Sequence, residues 1–402
     1  MHFNKLNKSQ QFILDEEINK TIDFAVKNKN NISLVEEILE KANKIKGLNH
    51  KEALVLLLCE IEEKNLEIFR LANKIKNIIY GKRVVLFAPL YVSNYCVNGC
   101  LYCPYCFNNK TTKRIKLTQE EIESQTTALY NMGHKRIALE AGEDNKTVPI
   151  EYILQTIDTI YGVKNEKNFS LIRRINVNIA ATTIENYAKL KEKNIGTYIL
   201  FQETYNKNLY EKFHPTGPKS DYNFHTTAMD RALKAGIKDI GLGVLFGLAD
   251  YKYDFTALLM HKEHLEKTFK IGPHTISVPR INPANNVDFS MFKNIISDET
   301  LLKIIACFRI AAPYVGIIMS TRENEKLREK SLKIGVSQIS AASSTSIGGY
   351  GKKEKLKNSQ QFETKDKRSL DEVVNWLLKL NQIPSFCTAC YEKKELKNFH
   401  ET

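Results

Sequence analysis

The segment RVVLFAPLYVSNYCVNGCLYC (residues 83–103) starts with an apolar run and ends in a loop that carries three cysteines. The run is rich in Val, Leu, Phe and Tyr, which is typical of a buried β-strand. Cys96, Cys100 and Cys103 follow it at spacings of three and two residues, and Cys106 adds a fourth thiol. Thiols grouped this tightly, in a long chain with no export signal, indicate a metal site rather than a disulfide framework.

Three thiolates on one short loop reach three irons of a [4Fe–4S] cluster and leave the fourth iron open. An open coordination position is typical of a catalytic metal centre rather than a structural one. Cys106 leaves two alternatives, because a fourth thiol would close the cluster or complete a structural zinc knuckle. The spacing, with Tyr102 directly before Cys103, favours the open cluster. Cys59 and Cys307 lie in apolar stretches and are predicted to be core residues.

From 83 to 350 the sequence alternates apolar runs of strand composition with amphipathic segments of helical period. This alternation predicts an α/β fold, namely a parallel (β/α)8 barrel of the TIM type. A helical N-terminal extension (1–82) precedes the barrel, and a linker, a helix and a short C-terminal extension (351–402) follow it. Strands are predicted at 83–94, 135–143, 173–181, 196–203, 239–248, 275–284, 316–323 and 336–343. Capping boxes predict helix starts at Ser33 with Glu36, Asn49 with Glu52, Thr118 with Glu121, and Thr182 with Glu185.

Charge and hydropathy exclude several functional classes. The 402 residues carry 59 Lys and Arg against 46 Asp and Glu, a formal net charge of +13. A basic chain is attracted to nucleic acids, but these lysines are spread along the whole sequence, which disfavours a nucleic-acid partner. No apolar run approaches the ~18 residues that a membrane span needs, and the N-terminus has no apolar signal-peptide core. We therefore expect a cytoplasmic protein with no membrane partner.

In a (β/α)8 barrel the reactive residues lie at the carboxyl ends of the strands and in the loops that follow them. The Cys96–Cys103 loop follows the first predicted strand, as a catalytic cluster requires. Polar side chains lie at or near many other predicted strand ends, which packing alone does not explain. These are Glu143, Gln202, Glu203, His274, Arg280, Arg322 and Glu323.

The cysteine loop resembles that of the radical S-adenosylmethionine (SAM) superfamily. Further phrases resemble, in order along the chain, the HydG family, the tyrosine lyase of [FeFe]-hydrogenase maturation. They include HKRIALEAGED, NVNIAATT, TYILFQETY, HPTGPKSDY, GPHTISVPR, MSTRE and PSFCTACY. The resemblance implies a barrel of the radical SAM kind, in which SAM binds the open iron and yields a 5′-deoxyadenosyl radical. It also implies cleavage of the tyrosine Cα–Cβ bond to p-cresol and dehydroglycine, with a glycine-derived fragment going on to CO and cyanide.

The resemblance also implies roles for individual residues. Cys96, Cys100 and Cys103 would ligate the SAM-binding cluster, with Tyr102 beside it. Two acidic side chains and one amide side chain in the quoted phrases would bind SAM: Glu143, Glu203 and, as the weaker candidate, Asn178.

A second group of implied roles concerns the substrate and an auxiliary cluster. Arg322 is a fixed cation suited to a substrate carboxylate, although an ion pair with Glu323 or with another neighbour is an equal alternative. Cys387 and Cys390 match ligands of a second iron–sulfur cluster, and His274 matches the ligand of its extra iron. The implied partners are a small aromatic amino acid, an electron donor such as flavodoxin or ferredoxin, and hydrogenase maturation proteins.

The sequence departs from the family at four points. The family has a third cysteine after the Cys387-x2-Cys390 pair, whereas this chain continues for 12 residues without one. Cys106 is an additional thiol, Asn282 replaces an Arg, and Ser344 replaces a basic residue. Because the last two changes remove positive charge, a paralogue acting on another aromatic amino acid such as tryptophan stays an open alternative. The extra thiol of Cys106 and the shortened C-terminal ligand set keep open a second alternative, a non-catalytic iron–sulfur scaffold.

Overall fold

The computed structural model describes residues 12–284, 287–351 and 359–386. The predicted auxiliary-cluster ligands Cys387 and Cys390 lie outside these residues.

Eight parallel strands form a closed barrel, because the sheet runs from β2 through β8 to β1 and β1 also pairs with β2. The predicted (β/α)8 fold is therefore confirmed. An additional short strand, β9, pairs in parallel with Arg83–Val85 at the start of β1. The strands are β1 Arg83–Ser93, β2 Arg136–Ala141, β3 Arg174–Asn178, β4 Tyr198–Glu203, β5 Ile240–Val244, β6 Thr275–Ser277, β7 Gly316–Met319, β8 Gln338–Ser340 and β9 Ile383–Ser385.

Helices surround the barrel and form the N-terminal extension. In the extension they are α1 Asp15–Lys27, α2 Ile32–Ala42, α3 His50–Leu58 and α4 Glu62–Tyr80. Around the barrel they are α5 Gln119–Asn131, α6 Ile150–Gly162, α7 Ile184–Glu192, α8 Lys207–Phe213, α9 Tyr222–Thr226, α10 Ala228–Lys234, α11 Tyr251–Phe269, α12 Asp298–Ala311 and α13 Glu325–Leu332. The C-terminal segment contains α14 Leu370–Lys379.

The N-terminal helices pack along the outer helical layer. Helices α3 and α4 contact α12, and α3 also contacts α11. The extension reaches the amino-terminal end of the barrel through Tyr80, whose hydroxyl donates to the Tyr314 carbonyl at 2.7 Å, just before β7. Cys59 and Cys307 are buried in this packing, as the sequence predicts.

Side-chain caps explain where several helices begin. The capping boxes at Asn49 and Thr118 are present as predicted. Two predicted starts are wrong by one or two residues: the side chain of Asn31 caps α2, and that of Thr183 caps α7. In each case a nearby side-chain oxygen, rather than the predicted one, accepts a hydrogen bond from a backbone amide of the first turn. The sequence pattern alone does not distinguish between two capping residues so close together.

Several strands are shorter than predicted. Strand β6 has three residues because the chain then turns, and Arg280 forms an isolated parallel bridge with Phe246 after β5. This turn brings the residues after β6 over the carboxyl end of the barrel. Among the described residues, no helix is both long and apolar enough to cross a bilayer.

Candidate active site

The cysteine loop follows β1 and is held in tight turns at the carboxyl end of the barrel. The Cys103 amide donates to the Cys100 carbonyl at 3.2 Å, and the Cys106 amide donates to the Cys103 carbonyl at 2.9 Å. The guanidinium of Arg114 donates to the carbonyls of Tyr105 at 2.8 Å and of Cys106 and Asn94 at 2.7 Å. One half-buried cation therefore bonds to both ends of the loop.

Two glycines let neighbouring segments approach this loop. A Cβ atom at Gly142, after β2, would collide with the Tyr95 carbonyl oxygen. A Cβ atom at Gly99 would collide with the Thr216 hydroxyl. The loop is therefore pressed between the segment after β2 and the segment after α8, and any larger residue would push one of them away.

Cys100 is buried, Cys96 and Cys103 are partly buried, and the neighbouring thiols influence one another. Burial and the neighbouring Cys96 raise the pKa of Cys103 to about 12, and burial raises the pKa of Cys100 well above its usual range. Without a bound metal these thiols are protonated, and a metal binds by displacing the protons. The donor set, three clustered thiols on one loop, fits a [4Fe–4S] cluster.

A single-ion site has a different geometry. Within residues 12–284, 287–351 and 359–386, no three His, Cys, Asp or Glu side chains converge tightly enough to hold one metal ion. A zinc knuckle needs such a convergence, whereas a four-iron cube holds its thiolates further apart.

Asn98 ties Glu143 to the cysteine loop. Its Nδ2 donates to Glu143 Oε2 at 2.6 Å and its Oδ1 accepts from the Lys219 amide at 2.9 Å. The Glu143 carbonyl also accepts from the Val97 amide at 2.8 Å. Burial raises the pKa of Glu143, and the Asn98 hydrogen bond opposes that shift. The carboxylate predicted to bind SAM is thus held beside the three thiols.

Glu203 lies at the carboxyl end of β4 in a strained backbone conformation. Its φ of +68° is in the left-handed region, at an irregularity in the pairing with β5. Strain of this kind persists where the surroundings enforce it, and it occurs often at functional sites. Lys219 Nζ donates to Glu203 Oε1 at 2.7 Å. Burial lowers the pKa of Lys219, but the neighbouring Glu203 carboxylate more than offsets this and leaves the pKa raised.

Lys219 is a residue that the sequence analysis missed. It lies in the phrase HPTGPKSDY, whose resemblance to the family implies no particular role for the lysine. Its Nζ lies 5.9 Å from the centre of the Tyr102 ring. The structure thus joins Lys219, Glu203 and Tyr102 to the cysteine loop.

Asn178 belongs to a neighbouring group rather than to this network. At the end of β3 it is in register with Glu140 of β2, which is in register with Tyr91 of β1. Burial raises the pKa of Glu140 well above its usual range, and a hydrogen bond with Asn178 opposes the shift. The described contact of Asn178 is therefore with a buried carboxyl group inside the barrel.

Arg322, which follows β7, contacts an aromatic ring and not the Glu323 carboxylate considered as its ion-pair partner. The Glu323 carboxylate binds Arg280, with Nε–Oε1 at 2.9 Å and Nη2–Oε2 at 2.8 Å. The Arg322 guanidinium instead lies 3.9 Å from the centre of the Phe362 ring. Its buried Nε has no hydrogen-bond partner among the described residues. The alternative that Glu323 neutralises Arg322 in a direct ion pair is therefore wrong.

Other buried polar atoms near the ends of β6, β7 and β8 also lack partners in the described part of the chain. Asn282 uses only its Oδ1, which accepts from Lys365 Nζ at 3.1 Å. Lys365 thus brings a positive charge to the position where the sequence lacks an arginine. A cluster of unsatisfied hydrogen-bond donors beside cations is suited to an anion. The atoms without partners are Asn282 Nδ2, Thr321 Oγ1, Arg322 Nε, Ser343 Oγ and Ser346 Oγ.

The segment 359–366 crosses this end of the barrel. The Tyr105 hydroxyl donates to the Ser359 carbonyl at 3.1 Å, and the Tyr91 hydroxyl donates to Gln361 Oε1 at 2.8 Å. At its far end, Asp366 forms a fully buried ion pair with Arg328. These contacts hold Phe362 over Arg322.

His274 lies at the opposite end of the barrel from the cysteine loop. It directly precedes β6; its amide donates to the Ile240 carbonyl at 2.8 Å and its carbonyl accepts from the Gly316 amide at 2.9 Å, at the starts of β5 and β7. Burial lowers the pKa of His274, and the Asp239 carboxylate opposes the shift. Strand β9 also lies at this end, against the start of β1, and the described chain ends one residue after it at Phe386.

Two family models match the chain. The Radical SAM superfamily matches residues 90–255, and the Biotin and Thiamin Synthesis associated domain matches residues 277–383. With the closed barrel and the cysteine loop, these matches define a radical SAM enzyme, a class that carries a [4Fe–4S] cluster and uses SAM.

Comparison with solved structures identifies the branch. The structure titled HydG, a maturase of the [FeFe]-hydrogenase, is 51% identical, with a TM-score of 0.91, over 97% of this chain and 85% of that chain. The maturase HydG from Carboxydothermus hydrogenoformans is 42% identical, with a TM-score of 0.86, over 96% and 86%. The 2-iminoacetate synthase of Salmonella typhimurium is 28% identical over 84% of this chain and 87% of its own length. The chain belongs to the HydG family, whose members are lyases of the 2-iminoacetate synthase type.

Proposed function

We propose that this enzyme cleaves the Cα–Cβ bond of tyrosine to give p-cresol and dehydroglycine, which is 2-iminoacetate. The observation that carries the proposal is the arrangement at one barrel end: the thiol loop with Glu143 and Glu203 lies on one side, and the cluster of unsatisfied donors around Arg322 lies near the ends of β6 to β8. The first set suits a cofactor, and the second suits the carboxylate of an amino acid.

The cofactor side has defined roles for this chain's own residues. Cys96, Cys100 and Cys103 would hold the cluster, with Tyr102 alongside. When bound, the cluster and SAM together supply a 5′-deoxyadenosyl radical that removes a hydrogen atom from the substrate. The Glu143 carboxylate, held by Asn98, is suited to the amino group of SAM, and Lys219 holds the Glu203 side chain in place by a hydrogen bond. Asn178 is the weakest of the proposed SAM ligands, because its described partner is Glu140.

On the substrate side, the residues of this chain would bind the amino-acid carboxylate and exclude water. Burying a carboxylate without a cationic partner costs several kcal/mol. Arg322 and the Lys365 ammonium beside Asn282 supply cations. They support an amino-acid carboxylate at this end although the arginine expected at 282 is absent. Phe362 and the segment 359–366 cover Arg322, which supports a site shielded from solvent.

We further propose that a second iron–sulfur cluster, if it assembles, lies at the amino-terminal end of the barrel. His274 and β9 lie together at that end, which supports a shared role for His274, Cys387 and Cys390. Formation of CO and cyanide for hydrogenase assembly, with hydrogenase maturation proteins as partners, rests on this second cluster. The first cluster needs one electron and a reducing compartment, so we propose a cytoplasmic donor such as flavodoxin or ferredoxin.

A second candidate substrate is another aromatic amino acid such as tryptophan. Two observations favour this second candidate. Asn282 and Ser344 replace basic residues of the family, so the substrate side carries less positive charge than the family pattern. The donors and the cations here recognise the amino-acid carboxylate, which tyrosine and tryptophan share.

The test uses the anaerobically reconstituted, reduced enzyme with SAM and each amino acid in turn. We expect tyrosine to stimulate 5′-deoxyadenosine formation most strongly and to yield p-cresol. Deoxyadenosine without p-cresol would keep the radical SAM chemistry but reject tyrosine as the substrate. No SAM cleavage by protein that contains its iron and sulfide would overturn the proposed reaction and favour the scaffold alternative.

A further inference from the structure

His214 makes two hydrogen bonds from opposite sides of its ring. Its Nδ1 lies 2.7 Å from the Tyr210 carbonyl oxygen, and its Nε2 lies 2.8 Å from the Tyr102 hydroxyl. The imidazole is 1% exposed and stacks on the Tyr210 ring, with 4.0 Å between ring centres. The ring therefore has one orientation in this packing.

The two contacts define the tautomer. A carbonyl oxygen only accepts, so Nδ1 carries the proton and donates to Tyr210. In the neutral ring Nε2 is then an acceptor, and the Tyr102 hydroxyl donates to it. Burial and the neighbouring Lys219 charge lower the pKa of His214 to about 3, so the ring stays neutral.

Tyr102 is the residue whose ring this bond orients. It lies between Cys100 and Cys103, and its ring borders Lys219. The backbone of the same region is also attached: the Leu101 amide donates to the Phe213 carbonyl at 3.0 Å. Without the side-chain bond, the Tyr102 ring keeps its place in the chain but loses the only described contact to its hydroxyl that sets its rotation.

We propose that His214 is a positioning residue, which holds the Tyr102 ring against the SAM pocket through its Nε2 atom. The inference rests on the proposed function, because it takes the region between Tyr102, Glu203 and Lys219 to be the SAM pocket. It assigns a role to the first residue of the phrase HPTGPKSDY, which the sequence analysis left without one.

Two isosteric variants separate the two hydrogen bonds. In His214→Asn the amide nitrogen replaces Nδ1 and keeps the bond to the Tyr210 carbonyl, but nothing reaches the Tyr102 hydroxyl. In His214→Gln the side-chain amide reaches the position of Nε2 and accepts from Tyr102. We expect His214→Asn to raise the KM for SAM about tenfold and His214→Gln to stay within about threefold of wild type, the ordinary effect of one hydrogen bond. Iron content should be unchanged in both.

A double-mutant cycle with Tyr102→Phe tests whether the effect passes through the hydroxyl. We expect Tyr102→Phe to raise the KM for SAM as much as His214→Asn does, and the double variant to be no worse than either. Equal behaviour of the Asn and Gln variants, additive effects in the cycle, or loss of iron from His214→Asn would overturn the inference. Failure of the proposed function is distinct, because wild-type enzyme would then leave SAM uncleaved whatever residue occupies position 214.

Discussion

Lys219 Nζ lies 2.7 Å from Glu203 Oε1, and the two side chains are only 16% and 12% exposed. The pair joins the end of β4 to the segment after α8, and Asn98 fixes the backbone of Lys219 next to the cysteine loop. A partly buried ion pair of this kind is sensitive to loss of one partner, because the remaining charge is left without compensation.

Replacing Lys219 by Met should therefore destabilise the fold. We expect the free energy of unfolding to fall by about 2–3 kcal/mol, less than for a fully buried pair, with most of it recovered in Lys219→Met/Glu203→Gln. The measurement is urea unfolding of the protein. The matched control is Lys193→Met, which breaks a more exposed pair with Asp158 and should cost less than about 1 kcal/mol. Equal losses for the two lysines would contradict the prediction.

The cysteine loop predicts a difference between two neighbouring thiols. We expect Cys100→Ser to abolish cluster assembly at the first site and Cys106→Ser to leave it intact, because only the first belongs to the three-thiol set. The measurement is iron and sulfide content after anaerobic reconstitution, made in a Cys387→Ala/Cys390→Ala background that removes the predicted second site. Loss of the cluster in Cys106→Ser would show that the fourth thiol is a ligand and that the cluster has no open iron.

The cations at the substrate side predict an effect on amino-acid binding. We expect Arg322→Met to raise the KM for tyrosine by at least about tenfold and Lys365→Met by about three- to tenfold, since each removes a charge-assisted contact. Lys367→Met is the control, because Lys367 pairs only loosely with the exposed Glu363. A KM unchanged in both Arg322→Met and Lys365→Met would move the carboxylate site elsewhere.

Asp254 predicts a pH dependence of stability. Its Oδ1 accepts from the Tyr205 amide at 2.8 Å and the Thr204 hydroxyl at 3.0 Å, whereas its Oδ2 has no partner among the described residues. Burial raises the pKa of Asp254 to about 7, whereas an unfolded Asp titrates near about 4. Between these values the folded state binds a proton that the unfolded state has lost, so stability falls as pH rises.

The variant Asp254→Asn keeps the accepting oxygen and removes the titration. We expect wild type to lose stability relative to this variant between about pH 4 and about pH 7, by on the order of 1 kcal/mol per pH unit at most. Parallel urea unfolding of both proteins across this range measures the difference. A difference that stays constant with pH would contradict a raised pKa at Asp254.

Much of the fold follows from local patterns. The alternation of apolar runs and helical segments predicts the barrel because each strand and helix buries its own apolar residues. The capping boxes at Asn49 and Thr118 are correct because both partners lie within one turn. The lengths of the strands are less predictable: β6 ends after Ser277 because a distant residue, Phe246, bonds to the chain just beyond it.

The candidate site likewise has features that local sequence predicts and features that depend on long-range packing. Local spacing is enough to predict the barrel, the three-thiol loop and the placement of Glu143 and Glu203 at the same barrel end, because spacing along the chain decides what a loop after a parallel strand presents. Local spacing does not predict which charges and hydroxyls meet across the fold. These pairs are Lys219 with Glu203, His214 with Tyr102, and Arg280 rather than Arg322 with Glu323. These partners lie 16, 112 and 43 residues apart, so they meet through packing in three dimensions, because a hydrogen-bonding partner stabilises a polar or charged group that is taken out of water.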